Sequence, residues 1–420
     1  MPAATGDEWW RPLPRSVPPD AVRVLAARGI RAFADGFVAV LLPIYLLRLG
    51  FGALAIGSIL TGTLIGSSLL TLAAGVVAHR WSRRRMLAGT CLLMAATGIG
   101  FALTRDYWPI LLIAFIGTMN PTSGDVSVFL PLEHTVLAGT IGPSRRTALF
   151  ARYSLVGTLM GAVGILAASV PDLAEERLGI SWLSGAQAMF AFYGALGLAA
   201  LLSYRPLSAA VEAPAPVGDA PRALGASKAV VYRLAALFSL DSLGSGFFVQ
   251  SLLVLWLYQT FDLPVSTASS ILFWSGLCSA VSFLLAVPLA DRIGLINTMV
   301  FTHLPSNLFL ILVPFAPNLS VAIALLLARS ALSQMDVPTR TSYVMAVVTP
   351  EERPAAASIT AVSKSLATSV GPLLAGYLLA VSPFGWPLIV GGLLKSIYDI
   401  LLLVQFRSVR PLEECSQEAD

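Results

Sequence analysis

The sequence predicts an all-α integral membrane protein of twelve transmembrane helices, arranged as two pseudo-symmetric six-helix halves. Three observations predict it. The chain is 56% hydrophobic and only 12% charged, with a mean hydropathy of +0.79, whereas soluble domains carry roughly a quarter charged residues. Its apolar residues fall into twelve stretches near the roughly 20 residues that a helix needs to cross a bilayer. Two stretches half a chain apart, Leu130 to Arg146 and Val337 to Arg353, share one layout: ungapped, Pro131 falls on Pro338, Pro143 on Pro350 and Arg146 on Arg353. Within that shared layout Glu133 falls on Arg340. A duplicated apolar chain with ionisable groups at matched depths is the pattern of a two-halved membrane transporter.

Taken in order, the predicted spans are 23–49, 53–78, 86–104, 108–141, 147–170, 185–204, 230–259, 267–290, 298–316, 319–348, 355–381 and 387–406. Turn-forming residues separate them, among them Arg105-Asp106, Pro171-Asp172, Asp262-Leu263-Pro264, Pro317-Asn318 and Ser382-Pro383-Phe384-Gly385. Segments four and ten are long enough to tilt or to overrun the bilayer. The longest polar connection, Arg205 to Lys228, is rich in Ala, Pro and Gly and reads as a flexible linker. The expected organisation is a tail over 1–22, a six-helix half over 23–204, a linker over 205–229, a second half over 230–406 and a tail over 407–420. Loops and tails on the N-terminal side hold sixteen Lys and Arg, against Arg48, Arg105 and Arg177 on the other side. The excess of positive charge marks the cytoplasmic side, so both termini and the linker are expected inside, in an inner or plasma membrane.

The composition excludes several classes. Basic residues cluster between apolar segments, which argues for membrane orientation and against nucleic-acid binding. Cys91, Cys278 and Cys415 are isolated and His79, His134 and His303 scattered, so no metal or other cofactor is expected. No GxxxxGK phosphate loop, G-x-S-x-G or H-E-x-x-H occurs, which argues against ATP drive and against an enzyme, and leaves no catalytic residue to name.

The loop after segment two reads GVVAHRWSRRR (Gly75 to Arg85), and the loop after segment eight reads AVPLADRIG (Ala286 to Gly294). Both resemble the signature loop of the major facilitator superfamily, Gly-x-x-x-Asp-Arg-x-Gly-Arg-Arg or Lys. His79 stands at the acidic position of the first copy and Ser82 at its second glycine. Ala286 replaces the first glycine of the second copy, which also lacks the closing basic pair. The resemblance implies the major facilitator fold, a monomer working by alternating access, and a conformational gate built from Gly75, His79, Arg80, Arg83, Asp291 and Arg292. It also implies that the first and fourth spans of each half line a central cavity. Arg329 in segment ten resembles the membrane arginine that the family carries in segment four.

Six acids lie inside apolar spans: Asp35, Asp125, Glu133, Asp241, Asp336 and Asp399. The bases there include Arg28, Arg31, Arg152, Arg329, Arg340, Lys364 and Lys395. A charge at the bilayer centre costs roughly 2.5 kcal/mol or more, so most must pair or face water. Glu133 and Arg340 each stand ten residues before an aligned proline, about 15 Å from the inner face. With the family's cavity geometry, this pairs Arg31 with Glu133 and Asp241 with Arg340. Local partners at i,i+4 are also available: Arg31 with Asp35, Asp336 with Arg340, and Lys395 with Asp399. Asp125 sits in MNPTSGD (Met119 to Asp125), where Pro121 and Gly124 break the helix, and is a candidate proton carrier. The expected substrate and proton pathway is Arg31, Asp35, Asp125, Glu133, Asp241, Asp336 and Arg340. By resemblance the favoured activity is proton-coupled efflux of a small organic molecule. The alternatives are proton-coupled uptake of a small anion on Arg31 or Arg340, and a non-transporting sensor.

Overall fold

A computed structural model describes residues 18–77, 81–122, 127–140, 143–212, 225, 227–349 and 352–406. The first half contains α1 (Pro19–Arg48), α2 (Ala53–Val77), α3 (Arg83–Leu103), α4 (Tyr107–Ile116), α5 (Phe129–Thr140), α6 (Pro143–Ala167), α7 (Val170–Leu178) and α8 (Trp182–Tyr204). The second contains α9 (Lys228–Phe247), α10 (Gln250–Phe261), α11 (Val265–Ile293), α12 (Leu295–Leu312), α13 (Leu319–Ser333), α14 (Asp336–Val347), α15 (Arg353–Val381) and α16 (Trp386–Phe406). Among the described residues ten helical stretches are long and apolar enough to cross a membrane, and the shorter apolar helices α4 and α13 open the fourth and tenth spans. No β-strand occurs among the described residues.

Local chemistry starts and stops the helices where the sequence punctuates them. Ser82, Ser181 and Asn318 each accept a hydrogen bond from a first-turn N–H, of Arg85, Ser184 and Val321, which satisfies donors that a helix leaves unpaired. Gly294 has φ +86 and joins α11 to α12 without a loop, in a region that favours residues lacking Cβ.

Three spans are broken. The break in the fourth was expected from Pro121, which has no N–H to donate; Asn120 Oδ1 accepts from Thr122 N at 3.0 Å beside it. Segments seven and ten were expected to be continuous, and both are corrected. The seventh span stops at Phe247 and restarts at Gln250. There Ser251 N donates across to Pro121 O at 3.3 Å, and its hydroxyl lies 2.7 Å from Ala39 O. Polar backbone at membrane depth requires such internal partners. The tenth span breaks at Gln334 and Met335, with Gln334 N donating to Ser282 Oγ at 3.3 Å. A short helix, α7, fills part of the stretch expected as a loop between segments five and six.

Asp20 accepts from Ser208 N and Oγ, and Arg23 donates to Pro206 O, so the start of α1 and the linker share one face of the molecule. The halves meet toward the opposite, distal face. Asp172, beyond α6, accepts from Ser266 N at 3.2 Å at the start of α11. Gly57 of α2 lies against Gly376 of α15 so closely that a Cβ on Gly57 would meet Pro372 O at 2.4 Å, and one on Gly376 would meet Ala53 O at 2.6 Å. Only glycine permits that approach. At the linker face Gly75 and Arg292 are exposed.

Candidate functional site: a charged cavity between the halves

Glu133 in the first half, and Asp241, Asp336 and Asp399 in the second, anchor two clusters of opposite build. In the first half Arg31 of α1 donates to Glu133 of α5, and the hydroxyls of Tyr153 and Tyr204 donate to the same carboxylate. The Arg31 guanidinium lies 3.9 Å from the centre of the Phe129 ring. Glu133 is 0% and Arg31 1% exposed. Every face of the carboxylate is answered by a donor, so this cluster is closed. Asp35 does not join it: although four residues from Arg31, its carboxyl makes none of the described hydrogen bonds or ion pairs, and it is buried.

In the second half Asp241 of α9 accepts from Arg340 Nη2 of α14 at 2.9 Å and from Lys395 Nζ of α16 at 2.6 Å, with His303 Nε2 at 3.9 Å. Arg340 also donates to Asp336, one turn back on α14. His303 Nδ1 of α12 donates to Asp399 at 2.9 Å, and Asn307 Nδ2 donates to the other oxygen at 2.8 Å. Lys395 and Asp399 were expected to neutralise each other along α16; instead α16 is rotated so that each meets a different helix. His303, Asn307 and Lys395 are the members that sequence reasoning missed. A histidine inside an apolar span was the available signal.

This second cluster borders a cavity of about 430 Å³, within the range of small-molecule sites. Asp241, Asp336, Arg340, Lys395, Arg329 and Lys364 supply its charges, and Thr122 and Ile165 reach it from the first half. The expected pathway residues Arg31, Asp35 and Glu133 are not among its lining residues. Arg329 of α13 lies with its guanidinium 4.7 Å from the Phe248 ring centre, and its Nε is buried without a hydrogen-bond partner. Lys364 of α15 makes no described hydrogen bond or ion pair through its ammonium group.

Of the expected gate, Gly75 lies in the last turn of α2 with open space about it. Arg83 donates to Val211 O at 2.7 Å, and Glu212 accepts from the N–H groups of Arg83 and Arg84, capping α3 within the first half. Arg292 is exposed at the end of α11. Asp125, His79 and Arg80 lie outside the described residues, as does the side chain of Asp291. No His, Cys, Asp or Glu grouping able to hold a metal occurs among the described residues.

Residues 234–419 match the family model described as Major Facilitator Superfamily. The whole chain has that fold. It superposes on the nucleoside transporter NupG with a TM-score of 0.71 at 16% identity, covering 92% of this chain and 99% of the other. The xylose transporter XylE from E. coli matches with a TM-score of 0.67 at 14% identity, over 93% and 99% of the two chains. The family match falls on the second half of the chain, and the shared fold extends over both halves. An uncharacterized membrane protein of Saccharomyces cerevisiae is 25% identical over 414 residues, 90% of this chain and 92% of its own. The two broken spans α9–α10 and α13–α14 carry Asp241, Asp336 and Arg340 to the cavity wall.

Proposed function

We propose that this protein is a secondary transporter that moves a small organic molecule across an inner or plasma membrane by alternating access between its two halves, as a monomer with both termini cytoplasmic. One observation carries the reading: a charged cavity of about 430 Å³ lies at the junction of the halves, while Gly57, Gly376, Asp172 and Ser266 close the halves together distally. With the linker face cytoplasmic, this is an inward-facing arrangement. Rocking the halves about the Ser251 contact to Ala39 and Pro121 exchanges the side of access.

The proposed coupling ion is the proton and the proposed direction is efflux. Coupling is supported by Asp35, a buried carboxyl outside every described ion pair, with Asp125 as a second carrier. Asp291 and Arg292, with Gly75, His79, Arg80 and Arg83, are proposed to gate the linker face. Uptake of an anion on Arg31 or Arg340 is less well supported, because Arg31 is engaged by Glu133 and Arg340 by both Asp241 and Asp336. The test is a thermal-shift screen of purified protein against metabolites and drugs, then flux of the hits in proteoliposomes with an imposed pH gradient. Gradient-driven accumulation is expected. Binding with no flux under any gradient overturns transport in favour of a sensor.

A further inference from the structure

The cavity holds a charge imbalance that its own residues do not resolve. Asp241 is satisfied by Arg340 and Lys395, and Asp336 by Arg340. Asp399, set behind the wall, is engaged by His303 and Asn307. Among the described residues no carboxylate forms an ion pair with Arg329 or Lys364, yet both border the cavity. Two cations held at membrane depth without an acid are costly, and such groups mark a ligand path.

The geometry points to a composite anion site: we propose that Arg329 and Lys364 together bind the carboxylate or phosphate of an organic anion taken up into this cavity. The Phe248 ring covers one face of the Arg329 guanidinium. That contact fixes the plane of the group and leaves its N–H edge for a two-oxygen acceptor, the geometry guanidinium favours. Lys364, on a different helix, adds a mobile point charge. The remaining wall is apolar at Ile165, Val249, Leu253, Leu272 and Leu326, and polar at Ser and Gln positions including Gln250, so the ligand carries an apolar body behind its charged head. This inference rests on the transporter reading and names its substrate class.

The probes are phenylacetate and phenyl phosphate, with phenylacetamide and phenethylamine as neutral and cationic matches, titrated into purified protein by calorimetry. Only the two anions are expected to bind. Arg329→Gln and Lys364→Gln should each weaken them about tenfold or more, the usual cost of a charge-assisted bond. Lys364→Arg should retain binding, and variants are compared only when monodisperse on gel filtration. Equal binding of the amide or amine, anion affinity unchanged in the double variant, or no binding of either anion overturns the inference. Proteoliposome flux of a neutral or cationic solute alone also overturns it while leaving transport standing. Anion binding without flux of any bound solute removes the transporter reading and leaves the site.

Discussion

Lys395 and Asp399 stand one turn apart on α16 and do not pair: the ammonium lies 2.6 Å from Asp241 on α9, and the carboxylate accepts from His303 on α12. Asp241 is therefore held by two cations, and the first-half carboxylate Glu133 by one cation and two phenols. The mirrored sequence thus yields one closed cluster and one that borders the cavity.

Asp241→Asn leaves Arg340 and Lys395 facing each other without their shared anion. A buried pair broken on one side costs about 3–5 kcal/mol. Lys395→Met should cost less, since Arg340 still answers Asp241, and the double variant should recover part of the loss. Unfolding of the detergent-solubilised protein in denaturant measures the cycle, with coupling of about 1–3 kcal/mol expected.

In the first half, Glu133→Gln should destabilise by about 3–5 kcal/mol by stranding Arg31. Tyr153→Phe and Tyr204→Phe should each cost about 1.5–3 kcal/mol, the range for hydrogen bonds to a charge. Pairing Glu133→Gln with Arg31→Gln should restore stability in part, whereas pairing it with Arg340→Gln in the other half should be additive. Coupling of Glu133 to Arg340 stronger than to Arg31 is the outcome that contradicts this arrangement.

Gly376→Leu places a side chain where Ala53 and Gly57 already touch the backbone. The distal seal should open. In a cysteine-free background carrying Ser279→Cys in the cavity, a membrane-impermeant thiol reagent added from the distal side should label faster than in the Gly376 parent. Unchanged labelling would falsify the seal.

Asp35→Asn should abolish pH-gradient-driven flux while leaving substrate exchange at equilibrium. Asp125→Asn tests the second carrier in the same assay. Full coupling in both variants rules out both carboxyls.

The twelve spans and the two halves were legible in the chain, whereas the contacts Arg31–Glu133 and Asp241–Arg340 followed from matched depth only with the helix arrangement that the family resemblance implies. Hydropathy is a local property, and depth follows from counting residues at a fixed rise. The break in the fourth span was legible too, because Pro121 acts on its own backbone. The break at Phe248 and Val249 was not: no proline causes it, and its freed Ser251 N–H is satisfied by a carbonyl from the other half. Helix rotation was equally hidden. Spacing offered Asp399 to Lys395 and Asp35 to Arg31, but which face of α16 or α1 meets which neighbour depends on packing between helices, down to the glycine contacts that set their approach. The sequence alone determined where the charges lie along each helix. Tertiary structure decided which of them are neutralised, and so which two, Arg329 and Lys364, are left facing the cavity.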